Sequence, residues 1–267
     1  MRLAWEFLKR DALIAVSYRV AFAVQLMGNM FVLVVFYYIG KTIGDQAIPS
    51  LDRYGGSYLA FLLIGIALTD CVTVSLTTFA TQIREGQMTG TLEAMLMSPV
   101  RLPVILIYSS LWAYCYSAVR FVLYLGLGMI FYNVSMAKAN LLSALVVFFL
   151  TVLSFAGVGM LWAGIVMLVK RGEAIMAAGG YLVVLLGGVL FPVTVLPAWI
   201  QGLAALMPLT YALEGMRLAL LKGYSLGDLA GTVFILGIFA VILLSLGMMT
   251  FSITVRSAKK WGSLIQY

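Results

Sequence analysis

Long apolar segments recur along the whole chain, and they constrain its fold more than any other feature of the sequence. They cover residues 20–40, 57–80, 103–132, 141–169, 174–190 and 229–255. A helix of about 20 apolar residues is long enough to cross the hydrocarbon core of a bilayer. We therefore predict an all-α membrane protein with six transmembrane helices, in which residues 1–267 form a single transmembrane domain.

The composition excludes the main soluble classes of protein. Hydrophobic residues make up 63% of the chain and charged residues only 10%, whereas a soluble domain carries about 25% charged residues. A soluble enzyme, a disordered chain and a disulfide scaffold are all inconsistent with these values. The chain has no histidine, which argues against metal binding and histidine acid–base chemistry. Cys71 and Cys115 fall inside apolar runs and are interpreted as small buried hydrophobic residues.

The distribution of basic residues predicts the orientation. The net charge is +7, from 17 Lys and Arg and 10 Asp and Glu. Eleven basic residues fall on one predicted side, five on the other, and Arg120 lies within a span. Because basic loops stay in the cytoplasm, both termini are predicted to be cytoplasmic, which requires an even number of spans. The net charge is thus a topology signal, and no nucleic-acid partner is expected.

The N-terminal segment, residues 1–19, is amphipathic. Arg2, Glu6, Lys9 and Arg10 share one helical arc, and Trp5 lies on the opposite arc. This pattern favours a helix lying in the membrane interface. The alternative is a simple cytoplasmic extension of the first span.

The cytoplasmic loop at residues 84–100 is predicted to contain a short helix between helix breakers. Its apolar positions recur at spacings of three and four, which suits a face that seats in the groove of a cytoplasmic partner. The alternative is a linker that binds nothing. The residues concerned are Gly90, Thr91, Leu92, Glu93, Met95, Leu96 and Pro99.

The segment at residues 191–217 interrupts the pattern of spans on the outer side. Prolines divide it into pieces too short to cross a membrane, which predicts a re-entrant or interfacial hairpin. Glu214 and Arg217 are three residues apart and are expected to form a local ion pair. The segment is either a structural lid or an exit gate. Its other candidate residues are Phe191, Pro192, Pro197, Trp199, Pro208 and Tyr211.

Two charges lie near the middle of predicted spans. Asp70 belongs to the second span and Arg120 to the third, in a stripe with Trp112, Tyr116 and Tyr124. Ionisable groups in a bilayer pair with one another or line a polar cavity, and these two lie at similar depths. We predict an intramembrane Asp70–Arg120 pair that either fixes helix packing or faces a translocation path.

Two motifs resemble the type-2 ABC exporter permease family: GTLEAMLMSPVR at residues 90–101 and GVLFPVTVLPAWIQGLAALMPLTYALEGMR at residues 188–217. The resemblance covers nearly the whole chain. It implies a multi-pass cell-membrane subunit that pairs with a copy of itself and with two ATPase subunits. It also implies that the loop at residues 84–100, including Glu93, is the coupling helix, that the N-terminal helix is a second cytoplasmic contact, and that residues 192–217 lie above the exit. The cargo would be lipophilic or amphipathic: a drug, a lipid or a lipid-linked glycan.

The chain lacks the motifs of an enzyme. No G-x-x-x-x-G-K-[ST] loop occurs, so this chain is expected to bind no cofactor, and ATP with Mg²⁺ would bind to the partner ATPase. G-x-S-x-G and H-E-x-x-H are also missing. An ATP-independent secondary transporter or channel is the alternative, although such carriers usually show internal repeats and more intramembrane ion ligands.

Overall fold

The computed structural model describes residues 49–55, 57–98, 100, 102–132, 134–168 and 172–261, together with scattered helical positions between 24 and 42. The predicted interfacial helix at residues 1–19, most of the first span, and Pro99 lie outside the described residues. The side chains of Glu93 and Leu96 do as well.

All regular elements among the described residues are helices. A 3₁₀ helix at Pro49–Tyr54 precedes α1 (Tyr58–Met88), α2 (Thr91–Met97), α3 (Leu102–Tyr132) and α4 (Leu141–Leu168). The second half contains α5 (Gly172–Leu186), α6 (Ala198–Ala204), α7 (Pro208–Arg217) and α8 (Ala230–Trp261). A 3₁₀ turn at Val193–Val195 precedes α6, and a π-helical turn at Leu218–Lys222 extends α7.

Among the described residues, four helices are long and apolar enough to cross a membrane: α1, α3, α4 and α8. They coincide with the second, third, fourth and sixth predicted spans. The fifth span is shorter than predicted, because α5 has 15 residues and ends at Leu186. At about 1.5 Å per residue, α5 is about 22 Å long, less than the roughly 30 Å hydrocarbon core. Six complete spans are therefore not observed among the described residues.

Helix α4 lies at the centre of the bundle and packs against α1, α7 and α8. Glycines allow its backbone to approach its neighbours closely. A Cβ atom on Gly157 would overlap the backbone of Leu243 in α8, and one on Gly159 would overlap the carbonyl of Ser75 in α1. Such close approach of helices at small residues is expected where lipid offers no hydrophobic driving force between helices.

The proline-rich segment after α5 is broken and bent. Helix α6 and the continuous stretch from Pro208 to Lys222 meet at 87°. Pro208 begins α7, where a missing N–H costs no hydrogen bond. The prolines thus divide this segment into short helices, whereas the re-entrant or interfacial hairpin on the outer side stays a prediction. The end of the bundle that holds α7 is called the α7 end below, and the opposite end is called the α2 end.

Candidate translocation path and gate

Helix α2 is attached to the bundle by its apolar face. Gly90 starts it in the left-handed conformation, with φ of 71°, which glycine adopts without strain. Leu92 is 3% exposed and belongs to the same buried cluster as Ile83 of α1 and Leu106 of α3. Met95 packs against that cluster.

The expectation that Leu92 and Met95 seat in a partner's groove is therefore wrong for Leu92, which is covered by the chain's own helices. Periodicity shows that a helix has an apolar face, but it does not show which molecule covers that face. Met88 and Met97 carry the exposed apolar surface at this end, with 76% and 87% of their area accessible. Thr91 is exposed beside them.

The two mid-span charges meet. Arg120 Nη2 of α3 lies 2.9 Å from Asp70 Oδ2 of α1, and the two side chains are 5% and 22% exposed. The guanidinium also lies over the ring of Tyr116, with Cζ 5.0 Å from the ring centroid. Arg120 Nε is buried and has no hydrogen-bond partner among the described residues. The pair thus neutralises both charges while leaving part of the guanidinium's hydrogen-bonding capacity unused.

The aromatic residues of α3 divide between surface and core. Trp112 stacks on Tyr116, with ring centroids 6.4 Å apart and both residues partly exposed. Tyr124 is 5% exposed and packs in the main hydrophobic cluster. In this conformation Tyr124 therefore does not line an open surface, and a direct role on a path is restricted to the Trp112–Tyr116 side.

A column of threonines extends along α1 from the level of the ion pair toward the α2 end. Thr69, Thr73, Thr77 and Thr81 recur every four residues, and each hydroxyl donates to the carbonyl four residues earlier at 2.7 to 2.9 Å. All four are at least partly exposed. The internal hydrogen bonds make these polar groups tolerable in a span.

The spacing of four residues identifies this column in the sequence, because residues four apart lie on one face of a helix.

The residues of the bent segment occupy different environments. Trp199 of α6 is 71% exposed, whereas Pro208 is buried and Tyr211 is partly exposed. Pro192 precedes the 3₁₀ turn, and Pro197 precedes α6. Phe191 lies in the irregular stretch between them and α5. The tip of the segment is thus exposed and apolar, and its α7 part is inserted into the bundle.

The expected Glu214–Arg217 pair is wrong. Glu214 instead forms an ion pair with Arg53 of the first 3₁₀ helix. Arg217 points inward, is 3% exposed, and donates to backbone carbonyls of α1 and of the turn after α5. The spacing of three residues allows a local pair, but both side chains find partners distant in sequence.

Asp228, which lies outside the spans, has a shifted pKa. Hydrogen bonds from the hydroxyl and the backbone N–H of Ser225 lower the pKa of Asp228 below its ordinary value. Asp228 N–H donates back to the Ser225 hydroxyl at 3.4 Å. This reciprocal turn stands immediately before α8, which begins at Ala230.

A bundle of apolar helices with a buried charge pair and a broken helix pair is the architecture of a helical membrane transport protein. Comparison with known proteins gives the family. The profile of "ABC-2 type transporter" membrane proteins matches residues 2–221, and the chain belongs to this family. It is also 29% identical over 233 residues to "Nodulation protein J" of Rhizobium leguminosarum bv. trifolii, a match that covers 85% of each chain.

The chain is therefore the membrane component of an ABC-2 type transporter, in agreement with the resemblance of its two motifs to type-2 ABC permeases. The family match extends from the N-terminal segment to the π-helical turn that follows α7. It includes α2, both members of the ion pair and the whole bent segment.

Proposed function

We propose that this chain is the permease subunit of an ATP-driven exporter. Two copies would form the translocation unit, and two separate ATPase subunits would bind ATP and Mg²⁺ at the cytoplasmic face of the cell membrane. The family assignment supports this function at the level of the subunit class. The attachment of α2 supports the coupling step.

Coupling of ATP hydrolysis to transport requires that a displacement of α2 by the ATPase is transmitted to the transmembrane helices. Leu92 packs in one cluster with residues of both α1 and α3, so α2 cannot shift without displacing the ends of these helices. Close-packed interiors transmit such displacements because they contain few voids. Met88 and Met97 provide exposed, adaptable apolar contacts for the ATPase. This anchoring of α2 is the observation that carries the proposal.

The proposed path follows the exposed face of α1. Asp70, Thr73 and Thr77 lie on this face, and the Trp112–Tyr116 stack of α3 lies near the ion pair. A surface that combines hydroxyls, aromatic rings and apolar side chains suits an amphipathic cargo with a polar head and a lipid-like body. The bent segment at the α7 end would then stand at the exit.

The test is reconstitution. The chain is co-purified with its ATPase and placed in liposomes, and ATP-dependent movement of a nitrobenzoxadiazole-labelled phosphatidylethanolamine is measured. We expect a stable complex and transport that needs ATP. Transport by the purified chain alone, without ATP, would contradict the proposal and support a secondary transporter or channel.

A further inference from the structure

Arg217 occupies an unusual position at the C-terminal end of α7. Its side chain reaches three backbone carbonyls: Nε donates to Phe61 O at 3.3 Å, Nη1 to Gly188 O at 3.0 Å, and Nη2 to Val189 O at 3.0 Å. The guanidinium carbon also lies 3.3 Å from the centroid of the Phe61 ring. One side chain thus contacts α1, α7 and the turn after α5.

The carbonyls of the turn after α5 explain why a cationic side chain is needed at position 217. The last carbonyls of a helix and of the turn after it have no partner within the helix, and an unpaired carbonyl is costly where water is scarce. Gly188 has φ of 76°, which turns the chain sharply after α5. Arginine satisfies several acceptors at once because its five donors are held in a rigid, planar fork, which lysine does not have.

The guanidinium group of Arg217 is closely packed by its neighbours. A Cβ atom on Gly65 would lie 2.6 Å from Val189 O and 2.9 Å from Arg217 Nη2. About two turns before Gly65 along α1, the Tyr58 hydroxyl donates to Leu190 O at 3.1 Å. The first turns of α1 and the residues after α5 are therefore held together at two levels, and Arg217 forms the inner one.

We propose that Arg217 is a positioning residue for transport, which locks the first two turns of α1, the turn after α5 and α7 into one block that moves as a unit when the exit opens. The reference to an exit rests on the proposed function. The lock itself rests only on the contacts of Arg217. On this view the exit does not open by a hinge at residues 187–192, because the guanidinium fixes Gly188 and Val189, within that turn, to α1.

The lock is tested on the chain alone by hydrogen exchange in detergent. We compare wild type with Arg217→Lys, which keeps the charge but loses the fork. Amide exchange should accelerate about tenfold in residues 57–66 and 186–196 and stay unchanged in α4 and in the middle of α8. Arg53→Gln, which removes the exposed ion pair with Glu214, is the matched control and should leave both segments as in wild type.

Gly65→Ala provides a second variant if Arg217→Lys fails to fold. Its added methyl displaces Val189 and the guanidinium without removing any charge, and the same two segments should exchange faster. Wild-type exchange in both segments for either folded variant would overturn the lock. A uniform acceleration throughout the bundle would also overturn it, because Arg217 would then serve only general stability.

Its part in transport is tested in the reconstituted complex. The Arg217→Lys variant should still bind the ATPase, and the complex should still hydrolyse ATP. Movement of the labelled phosphatidylethanolamine should fall about tenfold. Unchanged transport by this variant would overturn the positioning role. If wild type itself shows no ATP-dependent transport, the proposed function fails, whereas the hydrogen-exchange result still decides whether the lock exists.

Discussion

At the scale of single residues, the charged groups of this protein show what sequence can and cannot predict. The sequence predicts the Asp70–Arg120 pair because both are mid-span charges at similar depth on adjacent antiparallel helices, and buried charge needs a partner. It also predicts a Glu214–Arg217 pair, because these residues are close in sequence. Its actual acceptors are main-chain carbonyls, which no side-chain pattern reveals.

The Asp70–Arg120 pair gives a prediction of coupling. Asp70→Asn and Arg120→Gln should each destabilise the fold by about 3 kcal/mol, because each leaves one buried charge without its partner. The double variant should be less destabilised than the sum of the two. Thermal unfolding in detergent measures all three, with exposed Asp52→Asn as control. Additive losses would show that the two side chains do not interact.

Asp228 gives a prediction of pH dependence. Its pKa is lowered in the folded protein by hydrogen bonds from Ser225, so the turn is stabilised at pH values above the ordinary pKa of an aspartate. This stabilisation is lost as the pH falls through the lowered pKa. Amide exchange at residues 225–229, corrected for intrinsic rates, should therefore show less protection at about pH 3 than at about pH 6. Asp228→Asn should show the low-protection behaviour at both pH values.

At the scale of helices, hydropathy locates long elements well. Predicted spans at 103–132, 141–169 and 229–255 correspond to Leu102–Tyr132, Leu141–Leu168 and Ala230–Trp261. The second span continues eight residues beyond its predicted end, to Met88, because polar residues can extend a helix until a breaker such as Gly90 intervenes. Hydropathy therefore locates the part of a helix that lies in the membrane, but it does not locate the end of a helix that continues outside the membrane.

Helix α2 provides a matched pair of substitutions. Leu92→Ala should destabilise the chain by about 3 kcal/mol, since it removes a fully packed leucine. Met97→Ala should leave stability within about 0.5 kcal/mol of wild type but weaken binding of the ATPase. Thermal unfolding and co-purification separate the two effects. Equal ATPase binding by wild type and Met97→Ala would contradict the docking role of this surface.

The glycines of α4 predict a packing effect. Gly157→Ala and Gly159→Ala should each cost about 1–3 kcal/mol, because the added methyl would overlap a neighbouring backbone. Gly126→Ala in α3, where a Cβ atom meets nothing within 4 Å, is the control and should be neutral or slightly stabilising. Unfolding midpoints that are the same for all three variants would refute the close approach.

At the scale of the whole molecule, the sequence predicts that the two ends of the helical bundle have different functions. The α2 end has the exposed methionines that we propose as the ATPase contact, and the α7 end has the bent segment and Arg217. The arrangement of basic residues assigns the α2 end to the cytoplasm.

This orientation is tested with single cysteines in a chain whose native Cys71 and Cys115 are replaced by alanine. Ser135→Cys lies in the exposed loop between α3 and α4, and Thr91→Cys lies at the start of α2. An impermeant maleimide should label Ser135→Cys in intact cells and Thr91→Cys only after the membrane is opened. The reverse result would invert the predicted topology.

The glycine contacts of α4 also have a mechanical consequence. A helix whose backbone touches two neighbours at Gly157 and Gly159 cannot slide along either of them, because the next residue to reach the contact would bring a side chain into the space that only a hydrogen fills. Helix α4 is therefore held at a fixed register against α1 and α8. We expect these three helices to move as one body, so that any rearrangement of the bundle has to occur at α3 and α5.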